Sequence, residues 1–240
     1  MEQGFQGSLK KESFGAEVPL PVELFPLLTS SDIGKVTGLY IDVFLADEPT
    51  SRVNVSDRIA ASQDARAYVL ALAENGLSFI ARDVEAGGIA GFIFCSDLPD
   101  DPTSEARLMA GLSRHFPETV SMLDELEDMY LKRSGVAPGC VLHIYQICVG
   151  RSYRGQGIAT ALIRQVIGHA RKLGYRQVVA ECTSAQSRRI FERCGFFERG
   201  YLAFDAFSYN GVCVFQELDG GISLMVKDMD RSCGAPRSDE

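Results

Sequence analysis

The chain has 240 residues, 46% hydrophobic and 23% charged, which supplies a full core and leaves wholesale disorder unsupported. A net charge of −8 argues against a nucleic-acid surface, and no apolar run is long enough to span a bilayer. The seven cysteines are scattered and form no CxxC pair, so neither structural zinc nor a disulfide framework is supported.

Residues 1–18 read as a polar tail without periodicity and lack the apolar core of a signal peptide, so a soluble cytoplasmic protein is expected. From Pro19 the run Val-Glu-Leu-Phe-Pro-Leu-Leu-Thr has strand character. Ser31 or Asp32 is placed to cap a helix whose apolar positions Ile33, Val36, Leu39, Tyr40, Val43 and Phe44 follow a helical period, with Pro49 ending it. A second helix capped by Asp57 should reach about Asn75 and stop at Gly76. Leu77–Arg82 and Ile89–Cys95 flank a Glu-Ala-Gly-Gly turn and predict an antiparallel hairpin.

Residues 96–139 are harder to read: a loop at Pro99–Pro102, a short helix to Ser113, then a helix from about Glu118 to Arg133, with Pro117 in its first turn. Its acids and its apolar side (Val120, Leu123, Leu126, Leu131) suggest a cover over a site and not a core element. Farther on, Ile158–Leu173 predicts an amphipathic helix stopped by Gly174, Arg176–Cys182 a strand, and Ala185–Cys194 a helix stopped by Gly195. Phe196–Phe204, Val212–Phe215 and Ile222–Lys227 read as strands, and residues 230–240 as a tail. One domain over residues 19–229 is expected.

The chemistry concentrates in Val141–Thr160, an apolar strand running into an arginine-glycine loop that opens a helix. Converging backbone N–H groups and the positive end of a helix dipole make such a loop an anion cradle. Gly155-Gln156-Gly157-Ile158-Ala159-Thr160 comes close to the dinucleotide fingerprint GxGxxG, with Glu181 near the place of a ribose-binding acid. Against that reading, Thr160 replaces the third glycine, Arg154 crowds the entrance, and too little chain follows for a doubly wound sheet.

Arg154, Gly157 and Ala159 instead satisfy [Arg/Gln]-x-x-Gly-x-[Gly/Ala], which resembles the acyl-CoA diphosphate loop of the GNAT N-acyltransferase superfamily. Phe191-Glu-Arg-Cys-Gly195-Phe196 is similar to that family's closing element. The resemblance implies an α/β GNAT fold: a mixed, strongly twisted central sheet, helices on both faces, and splayed central strands holding acyl-CoA. It implies acetyl-CoA as co-substrate, no metal, and a binding surface of Ile147, Cys148, Val149, Arg154, Gly155, Gln156, Gly157, Ile158, Ala159 and Thr160. Backbone groups of Ile147 to Val149 would polarise the acyl carbonyl. Arg154 either contacts phosphate or solvates the edge of the loop.

Phe44-Leu-Ala-Asp47-Glu48-Pro49 resembles the Asp-Glu-Pro element of insect-type arylalkylamine N-acetyltransferases, and Cys182–Ser187 their serine-bearing segment, with Thr183 where serine is usual. The implied reaction is acetyl transfer to a small primary amine, an arylalkylamine first and a polyamine next, by a monomer or homodimer without nucleic acid or membrane partners. Glu48 is the implied general base, and Ser187 and Thr183 the hydroxyls that assist the departing thiolate; helix or loop capping is the ordinary alternative for all three. Phe191 replaces the tyrosine of many relatives and cannot donate a proton, which keeps a catalytically idle acyl-CoA-binding module in play. Alternation along the strand puts His143, Tyr145 and Ile147 on one face, so His143 and Tyr145 form a competing relay. Cys148 and Cys182 read as small core residues, because direct transfer needs no thiol nucleophile.

Overall fold

The computed structural model describes residues 22–26, 30–53, 58–97, 115–134 and 139–229. Seven strands form one sheet in the order β1-β2-β3-β4-β5-β7-β6. They are β1 (Val22–Pro26), β2 (Phe79–Asp83), β3 (Ile89–Asp97), β4 (Val141–Val149), β5 (Gln177–Cys182), β6 (Phe197–Ala203) and β7 (Gly221–Asp228). Every pairing is antiparallel except β4 with β5. The mixed sheet with helices on both faces agrees with expectation. The Asp57 cap and the short helix before Ser113 lie outside the described residues.

The parallel pair decides where a site can form. Its register runs Val141↔Gln177, Leu142↔Val178, His143↔Val179 and Ile144↔Ala180, and stops there although both strands continue. Beyond Ile144 the β5-facing edge of β4 leaves the ladder, so the middle of the sheet opens into a wedge. On the other side β4 stays paired to β3 up to Gly91↔Val149, which holds the freed edge in place.

A register shift between Phe94 and Cys95 makes Tyr145 the extra residue of a β-bulge. The bulge re-phases the strand. Ile147 and Val149 pack with the core that contains Leu142 and Ile144, whereas His143 and Tyr145 stack on each other with ring centroids 4.0 Å apart. Ile147 therefore does not share a face with His143, contrary to simple alternation.

Two apolar layers clamp the sheet. Helix α6 (Ile158–Leu173) buries Ile158, Leu162, Ile163, Val166, Ile167 and Ala170, a stripe of helical period, against one face. On the other face, α1 (Ser30–Leu39) and α4 (Arg58–Glu74) pack Ile33, Val36, Val69 and Leu72 over Ile80, Phe92 and Phe94. Helix α1 starts before Ser31 and Asp32, and the carboxylate of Asp32 pairs with Arg82 of β2 at 2.5 Å.

Two further expectations are corrected. Helix α5 (Pro117–Ser134) is part of the core as well as a cover: Met122 and Leu126 are fully buried against Val179, Leu224 and Val226. Residues 212–215 form no strand. Only a Tyr209↔Val212 bridge and turns occur there, because Phe215 folds inward to pack on Phe204 and Phe207.

Candidate active site

The helical run that starts with α1 ends before Pro49, as expected, but its last turns are not regular α-helix. It passes into a π-helical segment, Tyr40–Phe44, and a last turn α2 (Leu45–Asp47). One extra residue in a turn rotates everything after it by about 100°. Tyr40 and Phe44 stack at 5.4 Å across this segment, and Tyr40 also packs on Phe92 and Phe94. Burial lifts the Tyr40 hydroxyl far above its ordinary pKa, so it stays a neutral packing group. The rotation delivers Asp47 and Glu48 to the mouth of the wedge.

Glu48 is extended (ψ 128°), and Pro49 opens α3 (Pro49–Val53) at the position where its missing N–H costs nothing. The Glu48 carboxylate caps this helix. It accepts from Thr50 N (3.1 Å), Thr50 Oγ1 (2.8 Å) and Ser51 N (2.5 Å). Three donors leave room for about one more hydrogen bond on the carboxylate.

Asp47 points to the other side. It accepts from Arg151 (Nη2 2.7 Å, Nε 3.1 Å) and from Arg154 Nη2 (2.5 Å). The hydrogen bond from Arg151, with help from Arg154, holds the Asp47 carboxyl below the usual carboxylate range. Arg154 also donates to Val149 O at 3.3 Å, tying the loop to the end of β4. Its guanidinium is thus engaged by Asp47, a partner that spacing did not reveal.

The glycine loop has the geometry of an anion cradle. Gly155 and Gly157 have φ of +78° and +80°, and a Cβ on either would meet nothing within 4 Å, so the constraint is dihedral and the concave side is open. The first backbone bond of α6 runs from Ala161 N to Gly157 O, so the N–H groups of Ile158, Ala159 and Thr160 precede the helical ladder and face the cradle. Tyr153 anchors the loop from below through Asp83 (2.9 Å).

Across the wedge, Ser184 caps helix α7 (Ala185–Arg193) by accepting from Ser187 N at 3.1 Å. The Ser187 hydroxyl donates to Ser184 O (2.9 Å) and lies 3.0 Å from Ser184 Oγ. Phe191 is buried edge-on against Phe196 at 4.9 Å. Burial pushes the thiols of Cys148 and Cys182 up to about 12, with Ser187 bonding to Cys182 in partial opposition. Neither thiol is a thiolate near neutral pH.

The freed edge of β4, the glycine loop and the Glu48 turn border one open cleft of about 1240 Å³. Glu48, Thr183 and Ser187 line it, as do Ile147, Cys148, Val149, Arg154, Gly155, Gly157, Ile158, Ala159 and Thr160. Gln156 does not; its amide turns back to Ser152 O at 3.3 Å. The cleft also holds acids to which the resemblance gave no role. Asp124 and Glu127 of α5 face it, and Glu181 bonds His143 Nε2 at 2.5 Å. The one available signal was the i, i+3 spacing of Asp124 and Glu127, which any solvated helix face shares. His115 and His169 stand outside, bonded to Asp64 (2.9 Å) and packed on Phe79.

A sheet wedged open at its single parallel pair, with a helix-opening glycine loop at the end of the freed strand, is the arrangement that the resemblance to the acyl-CoA-dependent transferases led one to expect. The sequence matches the Acetyltransferase (GNAT) family over residues 42–196, and the chain belongs to that family. A probable glucosamine 6-phosphate N-acetyltransferase 2 of Oryza sativa subsp. japonica is 28% identical over 150 residues, 54% of this chain and 89% of that protein. Among solved structures, arylalkylamine N-acetyltransferase 2 of Aedes aegypti superposes with a TM-score of 0.72 at 21% identity, covering 86% of this chain and 98% of that one. The polyamine N-acetyltransferase of Drosophila melanogaster gives 0.69 at 18%, covering 87% and 100%. At these identities the structural likeness speaks for the fold.

Proposed function

We propose that this N-acetyltransferase moves an acetyl group from acetyl-CoA to a small primary amine, with an arylalkylamine preferred, by direct attack within one domain spanning residues 19–229. The supporting observation is the single cleft that joins the glycine cradle, the freed edge of β4 and Glu48. Main-chain donors at 155–160 meet the diphosphate. Backbone groups of Ile147 to Val149 hold the pantetheine and polarise the acyl carbonyl. Glu48 accepts a proton from the attacking nitrogen through one water, since three donors already occupy its oxygens. Ser187 and Thr183 hydrogen-bond the departing thiolate, a role that the buried Phe191 cannot take.

An arylalkylamine would find Phe44, Phe116, Tyr145 and Phe191 along the cleft. A polyamine is the second reading, favoured by Asp124, Glu127 and Glu181 in the same lining. A reducing, cytoplasmic setting belongs to the same reading, and the scattered, unpaired cysteines among the described residues support it. No helix among the described residues is long and apolar enough to cross a membrane. The test is thiol release from acetyl-CoA with aryl, alkyl and polyamine acceptors. Turnover is expected with at least one primary amine, and none with any of them would leave an idle acyl-CoA-binding module.

A further inference from the structure

Helix α7 lends the cleft a stripe of four side chains, Gln186, Arg189, Ile190 and Arg193, at the i, i+3, i+4 and i+7 spacing of one helical face. Two of the four are arginines, one turn apart, and both are exposed. Among the described residues neither has an ion-pair or hydrogen-bond partner. Neighbouring arginines are engaged. Arg151 and Arg154 close on Asp47. Arg188, next in the chain but off the cleft, pairs with Glu192 at 3.5 Å and Glu198 at 3.2 Å. Glu192 stands at i+3 from Arg189, within the usual reach of a helical pair, and serves Arg188 instead.

In a chain whose acids outnumber its lysines and arginines 32 to 24, two unpaired cations on the wall of a cleft point to an anionic ligand. Coenzyme A carries two kinds of anion. The diphosphate is met by main-chain donors at 155–160, and the loop arginine that spacing assigned to it, Arg154, is held by Asp47. The second anion is the monoester phosphate on the ribose 3′ oxygen, with a charge of about −1.5 to −2 near neutral pH. It has no backbone cradle of its own and calls for cationic side chains, and the guanidinium fork matches phosphate oxygens two at a time. Residues four apart on a helix differ in rise by about 6 Å, short enough for two long side chains to converge on one phosphate.

We propose that Arg189 and Arg193 clamp the ribose 3′-phosphate of coenzyme A and so select the thioester donor, favouring free acyl-CoA over 3′-dephospho-CoA and over pantetheine thioesters that lack the nucleotide. The inference rests on the acetyl-CoA reading of the cleft. No bond is made or broken in this step. Both side chains are exposed, so each contact is weaker than a buried pair and is screened by salt. Their effect comes from two cations acting on one dianion.

The test is calorimetric titration of the full chain with coenzyme A and with 3′-dephospho-CoA, for wild type, Arg189→Gln, Arg193→Gln, the double variant, and Arg188→Gln as a control on the same helix. Wild type should bind coenzyme A about 10- to 50-fold more tightly than the dephospho form, and added salt should shrink that preference. Each single variant should lose about 3- to 10-fold toward coenzyme A and the double variant the whole preference, with dephospho-CoA affinity held within about 2-fold throughout. Arg188→Gln should keep the preference; its loss there too would trace it to the helix as a whole and overturn the clamp. Equal affinity of wild type for the two ligands, or equal losses for both in the Arg189 and Arg193 variants, would overturn the clamp and leave the cofactor reading standing. Wild type that binds neither ligand overturns the cofactor reading and the clamp with it.

Discussion

The two halves of the cleft are built from different materials. The half proposed for the cofactor is mostly backbone: left-handed glycines, three helix-opening N–H groups and the freed edge of one strand, all within residues 145–160. The half proposed for the acceptor is mostly side chains brought from afar: Glu48 after α2, Asp124 and Glu127 on α5, His143 on β4, Glu181 on β5 and Ser187 on α7. A backbone cradle needs local dihedrals, so local sequence specifies it. A side-chain site needs the whole fold to arrive first, and its members can change while the frame stays.

That contrast can be broken at either end, and the largest effect belongs to the acceptor half. Glu48→Gln should lower kcat/KM by about 10²-fold or more, with KM for acetyl-CoA unchanged in steady-state titrations. A comparable rise in the acetyl-CoA KM would mean that the two halves are not separable. Next, Gly157→Val forces a β-branched residue to φ +80° at a cost of about 1–2 kcal/mol, or about 5- to 30-fold in acetyl-CoA affinity by calorimetry. Amine KM should hardly move.

Asp47→Asn tests the seam between the halves. The Asp47 carboxyl is held below its ordinary range, so the Asp47–arginine contact contributes stability above the normal carboxylate pKa and loses it as pH falls through the lowered folded value. Melting temperatures should therefore converge for wild type and variant at low pH and separate at neutral pH, modestly, because the pair is part-exposed. The smallest effect is expected from Cys148→Ala: activity within about 2-fold of wild type, since a buried thiol titrating near 12 takes no part in direct transfer. A collapse in kcat would revive a covalent route.

Legibility in the sequence followed the same division. Ile158–Leu173 and its stop at Gly174 were readable to the residue because helical period and a left-handed cap are local properties. The cradle was readable for the same reason. Pro49 ends the first helical run as its sequence position suggests, because the residue before a proline is held extended, as Glu48 is; that the same proline also opens α3 had no separate signal. Alternation along β4 failed at Tyr145 because a bulge depends on the partner strand. Residues 212–215 alternate like a strand but satisfy their aromatic side chain by folding onto Phe204 and Phe207. The contacts of His143 with Glu127 and Glu181 had no sequence signature, since nothing local couples those three positions.

The four-rung ladder between β4 and β5 has one more consequence, for mechanics. It is the only pairing that joins the β1–β4 half of the sheet to the β5-β7-β6 half among the described strands. A thioester arm lying in the wedge would act as a splint across this seam, supplying partners to the backbone edge that the strands leave open. Saturating acetyl-CoA at about 100 times its dissociation constant should then add about 2.7 kcal/mol to stability. The accompanying slowing of amide exchange should fall mainly on residues 145–149, while the first four rungs exchange slowly with or without the ligand.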